Sequence, residues 1–598
     1  MPKALSLDSR QKKGRKYSIT CFNGKSCLNH KGRYMDKKSK TQTNWWDKLG
    51  EPQYGGELHI RTNRRIANFD PYFEVHLTQI YTAWMEKMFA LDWLMDPAIN
   101  DFREGEKPDN TIRGHLAESY EFADPYTFVV HVRKGVHWQN LPPANGREFV
   151  ADDIVFHFHR MYGLGSGYDK PSPARADVVA FKELISVTAP DKYTVIFKWK
   201  TSSRELILDA LQEIGTSLCI ENPEVVKQYG DTRDWHHAIG TGPFMLKDFV
   251  QDVSATVVRN PDYWGRDERH PENKLPYLDA LKFYVILDQE KTLAGMRAGR
   301  IDVADQISPV LAQELRKTNP EILQIAHPAN TAATIDPRND RPPFNDIRVR
   351  RAMQLAIDLN GIAKNYYKGS VEPIPSSLTS RNMKGWGLPW EEWPQDLKEQ
   401  YAYNPALAKK LLADAGYPRG FKTNIIADTT GDMVLLDIIK QYFKDVGIDM
   451  EIRTMESTEW IKYVLTERKH DQLAQRTVSP LGHGYEPIRQ LSRLHTGYSS
   501  NYLMVSDPVF DAFQPQAIAA PNEQARKKVL RDANEYVARQ HFSISLLSPG
   551  SFTVYQPWLK GFHGQFGAVC SAAGSPQMLF FYPARFWIDQ DLKKKLGH

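Results

Sequence analysis

Histidine pairs are the residues of this chain whose spacing could bind a metal ion. His157 and His159 are two positions apart, and His236 is followed directly by His237. Positions i and i+2 lie on one side only in a strand, whereas the pattern around His157 is helical. We therefore expect no metal site there. A metal-chelate receptor that uses these four histidines or His483 remains an alternative.

Motifs of covalent catalysis are missing from the sequence. It has no HExxH, GxGxxG, GxSxG or CxxC spacing, which zinc proteases, dinucleotide enzymes, α/β-hydrolases and thiol redox proteins use. The glycine-rich run at 163–167 has the wrong spacing for a dinucleotide site. No nucleophile stands beside a base, so we expect neither catalytic residues nor a cofactor. A hydrolase is the less favoured alternative.

Basic charge is concentrated at the amino terminus. The chain has 598 residues with 77 Lys+Arg and 72 Asp+Glu, and its first 43 residues hold 12 of the basic and two of the acidic side chains. The body is therefore slightly acidic, and its composition is that of a soluble globular protein with three or four domains. Residues 1–50 are expected to be a disordered tail. The basic pI describes this tail, so we expect no nucleic-acid partner.

The segments that must position any site alternate between strands and helices. Alternating apolar residues predict a β-hairpin over Tyr120–Arg133 and a strand over Tyr193–Trp199. The segment Ile80–Leu94 has a helical pattern. In the second half, Asp346 and Asn404 are expected to cap two amphipathic helices. This mixture, without an internal repeat, predicts an α/β multidomain protein.

Short motifs follow one another over most of the body. They are LAESY at 116–120, YTFVVHVRKGVHW at 126–138, EFVADDIVF at 148–156, GTGPF at 240–244, RNPDYWG at 259–265, LPYLD at 275–279, AGRID at 298–302, PFNDIRVR at 343–350, YNPALAKKLLADAGYP at 403–418, SDPVFD at 506–511 and PWLKGF at 557–562. In this order they resemble the family 5 extracellular solute-binding proteins. These are the dipeptide- and oligopeptide-binding components of ABC importers.

The resemblance implies a periplasmic-binding-protein-like α/β fold (type II, cluster C) with two lobes around a ligand cleft and an inserted third domain. Lobe I is expected at 51–95, 190–295 and 530–598, the inserted domain at 96–189, and lobe II at 296–529. The implied function is capture of a peptide or other small solute by hinge closure, followed by delivery to the permease subunits of an ABC transporter. The implied protein is a monomer on the extracytoplasmic side, in the periplasm or anchored to the membrane. A sugar-binding receptor of the same fold is an alternative.

The family's ammonium-binding loop, which resembles WxxDYxDP, falls at Ser479–Pro487 of this sequence. Alignment on Glu486 places His483 where the family has Asp, and an imidazole cannot replace a carboxylate as the partner of an ammonium group. Glu486 or Asp471 could take that role instead. An acidic, modified, cyclic or sugar-like ligand is the alternative that this departure favours.

Further candidate ligand contacts follow from loop position and from residue type. Aromatic rings offer large contact area, and arginines pair with carboxylates. The candidates, with His483 and Glu486, are Arg64, Arg65, Trp386, Trp390, Trp393, Tyr485, Tyr498, Asn501 and Tyr502. At most one of Arg64 and Arg65 is expected to face the cleft, and packing is the alternative for each tryptophan.

Overall fold

The computed structural model describes most of the chain beyond residue 43. It describes residues 20–22, 26–28, 34–35 and 44–598, except 64, 66–68, 74–78, 93, 99–111, 174–179, 203–206, 208–218, 330–331, 382, 430, 476–486, 499–500, 563 and 565–581. Residues 1–51 and 52–598 form two separate compact units. Within the described part, no helix is long and apolar enough to cross a membrane.

The described residues of the first unit include three short strands. Strands β1 (Thr20–Phe22), β2 (Ser26–Leu28) and β3 (Tyr34–Met35) form an antiparallel meander.

The second unit contains all the other described strands and all the described α-helices. Its strands are β4 (Glu57–Thr62), β5 (Phe89–Leu91), β6 (Ile112–Gly114), β7 (Ala117–Asp124), β8 (Thr127–Val132), β9 (Leu184–Asp191), β10 (Thr194–Trp199), β11 (Phe244–Val250), β12 (Ser254–Arg259), β13 (Ala280–Val285), β14 (Val303–Ile307), β15 (Leu323–His327), β16 (Thr334–Pro337), β17 (Phe421–Asp428), β18 (Ile448–Met455), β19 (Leu473–Gln475), β20 (Ile544–Ser545), β21 (Ser551–Tyr555), β22 (Leu559–Lys560) and β23 (Trp587–Ile588). Its α-helices are α1 (Ala151–Tyr162), α2 (Pro223–Tyr229), α3 (Gln289–Arg297), α4 (Pro309–Thr318), α5 (Ile347–Leu355), α6 (Leu359–Gly361), α7 (Gln395–Glu399), α8 (Pro405–Asp414), α9 (Met433–Asp445), α10 (Ser457–Trp460), α11 (Pro487–Leu494), α12 (Pro508–Asp511), α13 (Phe513–Ala519), α14 (Glu523–Gln540) and α15 (Gln590–Lys595).

Lobe I is built on a seven-stranded sheet in the order β11-β12-β13-β4-β14-β21-β15. Strand β4 is parallel to both β13 and β14, while β21 runs antiparallel to β14 and β15. The buried side chains of β4, Leu58 and Ile60, belong to an apolar cluster with Val257 and Leu281. The carboxyl ends of β4, β13, β14 and β15 therefore lie on one edge of this sheet.

Lobe II is built on a five-stranded sheet in the order β18-β17-β19-β16-β20. Strands β17, β18 and β19 are parallel, and β16 is antiparallel to β19 and β20. Most residues of β17 are buried, as expected for a strand whose two faces are covered by helices. The two predicted helix caps are confirmed. Asp346 caps α5 by accepting from Arg348 N, and Asn404 caps α8 by accepting from Leu407 N.

The inserted domain is a four-stranded antiparallel sheet in the order β7-β8-β10-β9, with α1 packed against it. The expected hairpin and the expected strand at 193–199 are both present, as β7–β8 and β10. Phe128 and Val130 of β8 and Val195 and Phe197 of β10 are fully buried in its core.

Sheet membership differs from the expected domain boundaries. The inserted sheet continues to Trp199, beyond the expected end at 189, because β9 and β10 form one hairpin. Strands β14 and β15 extend lobe I past the expected limit at 295, and β20 extends lobe II past 529. Strand pairing between distant segments sets these limits, and hydrophobic periodicity does not report it. The expected helix over Ile80–Leu94 is wrong, because a 3-10 helix at Gln79–Ala83 and β5 stand there.

Candidate functional site

Two short connections join lobe I to lobe II. The first runs from the end of β15 at His327 to the start of β16 at Thr334, and the second from the end of β20 at Ser545 to the start of β21 at Ser551. Each connection links the carboxyl edge of one sheet to the carboxyl edge of the other. A connection of about six residues reaches at most about 20 Å. The two carboxyl edges therefore lie on either side of one cleft, which is where open α/β sheets bind ligands.

Arg61 organises the lobe I edge of this cleft. Its buried guanidinium donates to Ile286 O at 2.7 Å, to Asp305 O at 2.9 Å and to Leu287 O at 3.4 Å. The side chain therefore holds together the carboxyl ends of β4, β13 and β14. Sequence reasoning missed Arg61, because it reads as one more charged residue in an alternating strand.

Arg65 is an exposed cation at the same edge. It lies three residues beyond β4, and its side chain is 66% exposed. Its nearest acid is Asp252 in the β11–β12 turn, with Nη1 3.5 Å from Oδ2. Such a long, exposed ion pair contributes little stability. The Arg65 guanidinium can therefore receive the carboxylate of a ligand. Its predicted neighbour Arg64 lies outside the described residues.

Carboxylates line the lobe II edge. Asp428 ends β17 and accepts from Ser457 Oγ at 2.7 Å, and Asp432 caps α9 through Leu435 N at 3.0 Å. Asp432 also accepts from Tyr366 Oη at 2.7 Å. Burial and this hydrogen bond raise the pKa of Tyr366. Glu456 follows β18 and caps α10.

The predicted ammonium-binding loop follows β19 directly. β19 ends at Gln475 on the lobe II edge, and α11 begins at Pro487. His483, Tyr485 and Glu486 fall between these elements and lie outside the described residues. The alternative Asp471 precedes β19 and is therefore at the amino end of that strand, away from the cleft edge.

The tryptophans in the loop after residue 380 make packing contacts. Trp393 donates from Nε1 to Leu388 O at 3.0 Å and packs in a buried cluster with Tyr401 and Ala538. Trp390 lies against the same cluster, its ring centroid 5.0 Å from that of Trp393. Trp386 is buried with Lys527 Nζ 5.1 Å from its ring centroid. These contacts account for the three tryptophans as packing residues, and their role as ligand contacts stays a prediction.

The residues around 500 also support the loop in which they lie. The buried Asn501 side chain donates to Leu494 O, His495 O and Val505 O and accepts from Val505 N. The buried Tyr502 donates from Oη to Asp336 Oδ2 at 2.6 Å. Tyr498 is half-buried, and its carbonyl accepts from Arg468. Asn501 and Tyr502 are therefore saturated by internal partners.

The candidate metal-binding histidines are dispersed among unrelated partners. His157 pairs with Glu221, His159 with Ser166 and Val187 O, and His236 with Asp234. The ring of His237 stacks on the ring of Tyr229, with the two ring centroids 3.6 Å apart. Among the described residues there is no group of three or more His, Cys, Asp or Glu that could hold a metal ion.

Several motif residues of the sequence meet at Glu86, which sequence reasoning missed. This buried carboxylate accepts from Tyr263 Oη at 2.7 Å and Trp264 Nε1 at 3.1 Å, and it pairs with His115 at 2.7 Å. Burial acts to raise the pKa of Glu86, but His115 and these hydrogen bonds lower it overall. Tyr263 and Trp264 of the RNPDYWG motif thus contribute to the scaffold around Glu86.

Comparison with protein families decides the membership of this chain. The model of bacterial extracellular solute-binding proteins, family 5 Middle, matches residues 111–491. The chain belongs to this family. The family 5 proteins are substrate-binding proteins and not enzymes, and their homologues act outside the cytoplasm. The resemblance seen in the sequence motifs is therefore confirmed.

Relatives and solved structures agree with the family 5 assignment. The chain is 26% identical to heme-binding protein A of Haemophilus influenzae over 77% of this chain and 84% of that protein. It is 23% identical to di/tripeptide-binding protein 1 of Pseudomonas aeruginosa, over 79% of this chain and 86% of that protein. The periplasmic binding protein DppA of Helicobacter pylori, solved in complex with the peptide STSA, has a TM-score of 0.70 at 19% identity, covering 91% of this chain and 99% of that chain. The expected two-lobe fold is confirmed.

Proposed function

We propose that this family 5 protein captures a peptide or peptide-like solute between its lobes and delivers it to the permease subunits of an ABC importer. It does so as a monomer on the extracytoplasmic side of the membrane. The observation that carries the proposal is the pair of carboxyl edges held on either side of one cleft by two short connections. Closure of such a cleft shifts the protein between open and ligand-bound populations.

The charges at the two edges suit a short zwitterionic peptide. The exposed Arg65 in lobe I can pair with a carboxylate, and Asp428, Asp432 and Glu456 in lobe II favour a cationic group. Relatives named for dipeptide and di/tripeptide binding support this ligand class. Glu486 remains the predicted contact of the ligand's amino end, and His483 and Tyr485 remain predicted ligand contacts beside it.

The proposal is tested by thermal unfolding of the full-length protein with three probes: Met-Leu, N-acetyl-Met-Leu and Met-Leu amide. A dipeptide at 100 times its Kd should stabilise the protein by about 2.7 kcal/mol. We expect Met-Leu to raise the unfolding temperature most. If no di- to tetrapeptide stabilises the protein, while a nickel chelate, a sugar or heme does, peptide capture is rejected.

Arg65 gives the proposal a residue-level test. Loss of a charge-assisted hydrogen bond costs about 1.5–3 kcal/mol, so Arg65→Ala should weaken Met-Leu binding by roughly tenfold or more. Binding of Met-Leu amide should be unaffected, because that probe has no carboxylate. Arg300→Ala is the matched control, since Arg300 is exposed in lobe I just before the amino end of β14. If the variant lost equal affinity for Met-Leu and for Met-Leu amide, Arg65 would not be the residue that binds the ligand's carboxylate.

A further inference from the structure

One segment of lobe II holds both connections between the lobes. We call residues 375–380 the clamp segment, 328–333 the first crossover and 546–550 the second crossover. In the clamp segment, Pro375 forms an antiparallel bridge with Leu547. The backbone N of Ser376 donates to Leu546 O at 2.8 Å. The clamp segment thus adds a short strand beside the second crossover.

The hydroxyl of Ser376 reaches the first crossover as well. Its Oγ lies 3.0 Å from Ala333 N, 2.9 Å from Ala333 O, 2.8 Å from Leu546 O and 2.5 Å from Ser548 Oγ. A hydroxyl has one proton and two acceptor lone pairs. It therefore accepts from Ala333 N and donates to one of the other oxygens. Ser376 is 5% exposed, so these bonds do not compete with bulk water.

The two crossovers are also held at other points along their length. In the clamp segment, Ser380 Oγ donates to Ala329 O of the first crossover at 2.6 Å. Near lobe I, the second crossover approaches the end of β15 so closely that a Cβ on Gly550 would lie 2.4 Å from His327 O. The Ser376 hydroxyl is the side-chain group that bonds to the backbone of both crossovers where they enter lobe II.

We propose that Ser376 is a positioning residue for lobe closure, whose hydroxyl reinforces the backbone bond from Leu546 N to Ala333 O so that the two crossovers bend together as one hinge. Crossovers that are coupled less tightly allow the lobes to twist as well as to close. Coupling at one point restricts the motion to closure about a single axis, which preserves the pairing of the two cleft edges. This inference rests on the proposed function, because it deepens the closure step of that function.

The fold should survive removal of the hydroxyl. Leu546 N still donates to Ala333 O at 2.9 Å, and Ser376 N still donates to Leu546 O. Ala333 N retains Ser548 Oγ at 3.2 Å. The buried backbone groups around Ser376 therefore keep partners in Ser376→Ala. In Ser376→Cys the side-chain volume is also nearly kept, while the strong hydrogen bonds are lost.

The test compares hydrogen exchange of the full-length protein, without peptide, in Ser376→Ala, Ser376→Cys and Ser377→Ala. Ser377 is the matched control, because its hydroxyl donates to Thr379 O at 2.7 Å and bonds to neither crossover. One lost hydrogen bond of about 1 kcal/mol corresponds to roughly fivefold faster local exchange. We expect this increase at both 332–334 and 545–548 in the two Ser376 variants, and no change in Ser377→Ala.

Small-angle scattering of the same samples measures the position of the lobes. We expect a larger radius of gyration and a broader distance distribution in both Ser376 variants than in wild type and Ser377→Ala. Faster exchange in one crossover alone, or unchanged scattering, would overturn the proposal. Neither measurement uses a ligand. The test of Ser376 is therefore independent of the test of peptide binding, and either one can fail without the other.

Discussion

Buried charges around Arg160 join α1 of the inserted domain to chain segments on either side of it. Arg160 makes a bidentate pair with Asp70, with Nη2 to Oδ2 at 2.6 Å and Nη1 to Oδ1 at 2.9 Å, and Nη1 lies 3.3 Å from Glu221 Oε1. Glu221 also pairs with His157. Burial acts to raise the pKa of Glu221, but His157 and Arg160 outweigh it and hold the pKa at about 2. Removing one of these charged side chains would leave its partners buried without a compensating charge.

Glu221→Gln should therefore be strongly destabilising. Loss of one partner from a buried ion pair costs about 3–5 kcal/mol, and calorimetry at pH 7 should give a lower Tm. The pKa of Glu221 is lowered in the folded state, so its stabilisation is present at neutral pH and is lost as the pH falls from about 4.5 to about 2. The difference between wild type and variant should shrink over that range. Glu272→Gln is the control, because this side chain is 72% exposed, and equal Tm losses would refute a special role for Glu221.

The pKa of the buried acid Asp336 is shifted upward, in the opposite direction to that of Glu221. Burial raises its pKa and outweighs the hydrogen bonds from Tyr502, Ser543 and Thr334. The folded state then holds its proton more tightly than the unfolded state, so its contribution to stability falls as the pH rises through the raised pKa. The carboxylate therefore costs stability at pH 7.

Asp336→Asn should raise the Tm at pH 7, and this gain should disappear near pH 4. The amide oxygen can still accept the hydrogen bond from Tyr502, whose Oη lies 2.6 Å from Oδ2 in the wild type. Thermal unfolding from pH 4 to pH 8 measures the effect. The exposed Asp449 supplies the comparison variant Asp449→Asn, which should be neutral throughout. A lower Tm for Asp336→Asn at every pH would contradict the prediction.

Residues whose partners are close in the sequence were easier to predict than residues whose partners are far along the chain. The caps at Asp346 and Asn404 hold because a cap acts on a backbone N–H two or three positions away. Arg61 and Glu86 were missed because their partners lie far along the sequence, at Ile286 and Tyr263 for example. No single-sequence pattern reports such a pairing.

At the scale of elements, the glycines of the GTGPF motif allow two chain segments to touch. A Cβ on Gly240 would lie 1.6 Å from Trp84 O, and one on Gly242 would lie 2.8 Å from Ala83 O. Gly242 N donates to Trp84 O, and Gly240 O accepts from Gln139 N. The motif thus fastens the chain around Trp84 beside the inserted domain.

Gly240→Ala should destabilise the protein by at least about 1–3 kcal/mol, the cost of overpacking a rigid site, because the clashing atom is backbone. Chemical unfolding with two spectroscopic probes measures the loss. Gly387→Ala is the control, since its nearest non-neighbouring atom would be Thr379 Cβ at 3.3 Å. Should the two variants unfold at the same denaturant concentration, the close approach at Gly240 does not limit stability.

Periodicity predicted the isolated hairpins but not the irregular segments. The β7–β8 hairpin follows from alternation and a turn within one stretch of sequence. The apolar spacing of Ile80–Leu94 wrongly predicts a helix, because the first part of this segment is buried on nearly every side: Ile80, Tyr81, Trp84, Met85 and Met88 are each at most 2% exposed. When every side is covered, the spacing of apolar residues no longer distinguishes a helix from a compact irregular chain.

At the scale of the molecule, motif order predicted the family and the fold, while pairing between distant strands set the lobes. Strands β14, β15 and β21 belong to one sheet although more than 200 residues separate β15 from β21. The crossovers that create the cleft follow from this arrangement. Neither they nor the clamp segment could be read from composition or motifs.

The basic amino-terminal segment is separate from the part that carries the cleft. The first 43 residues hold 12 Lys and Arg, whereas the other 555 hold 65 basic and 70 acidic residues. Residues 52–598 form a compact unit of their own. The charge of the whole chain, +5, is thus opposite in sign to that of the part that contains both lobes.

Deletion of residues 1–43 should therefore change surface charge without changing stability or capture. We expect the shortened protein to lose retention on a cation exchanger at pH 7, because its net charge becomes negative. Its Tm and its stabilisation by Met-Leu should equal those of the full chain, since the cleft edges, the crossovers and Arg65 all lie beyond residue 52. A variant with the basic residues of 1–43 changed to Gln is the matched control for charge alone. A lower Tm in the deletion but not in this control would mean that the segment supports the lobes through contacts other than charge.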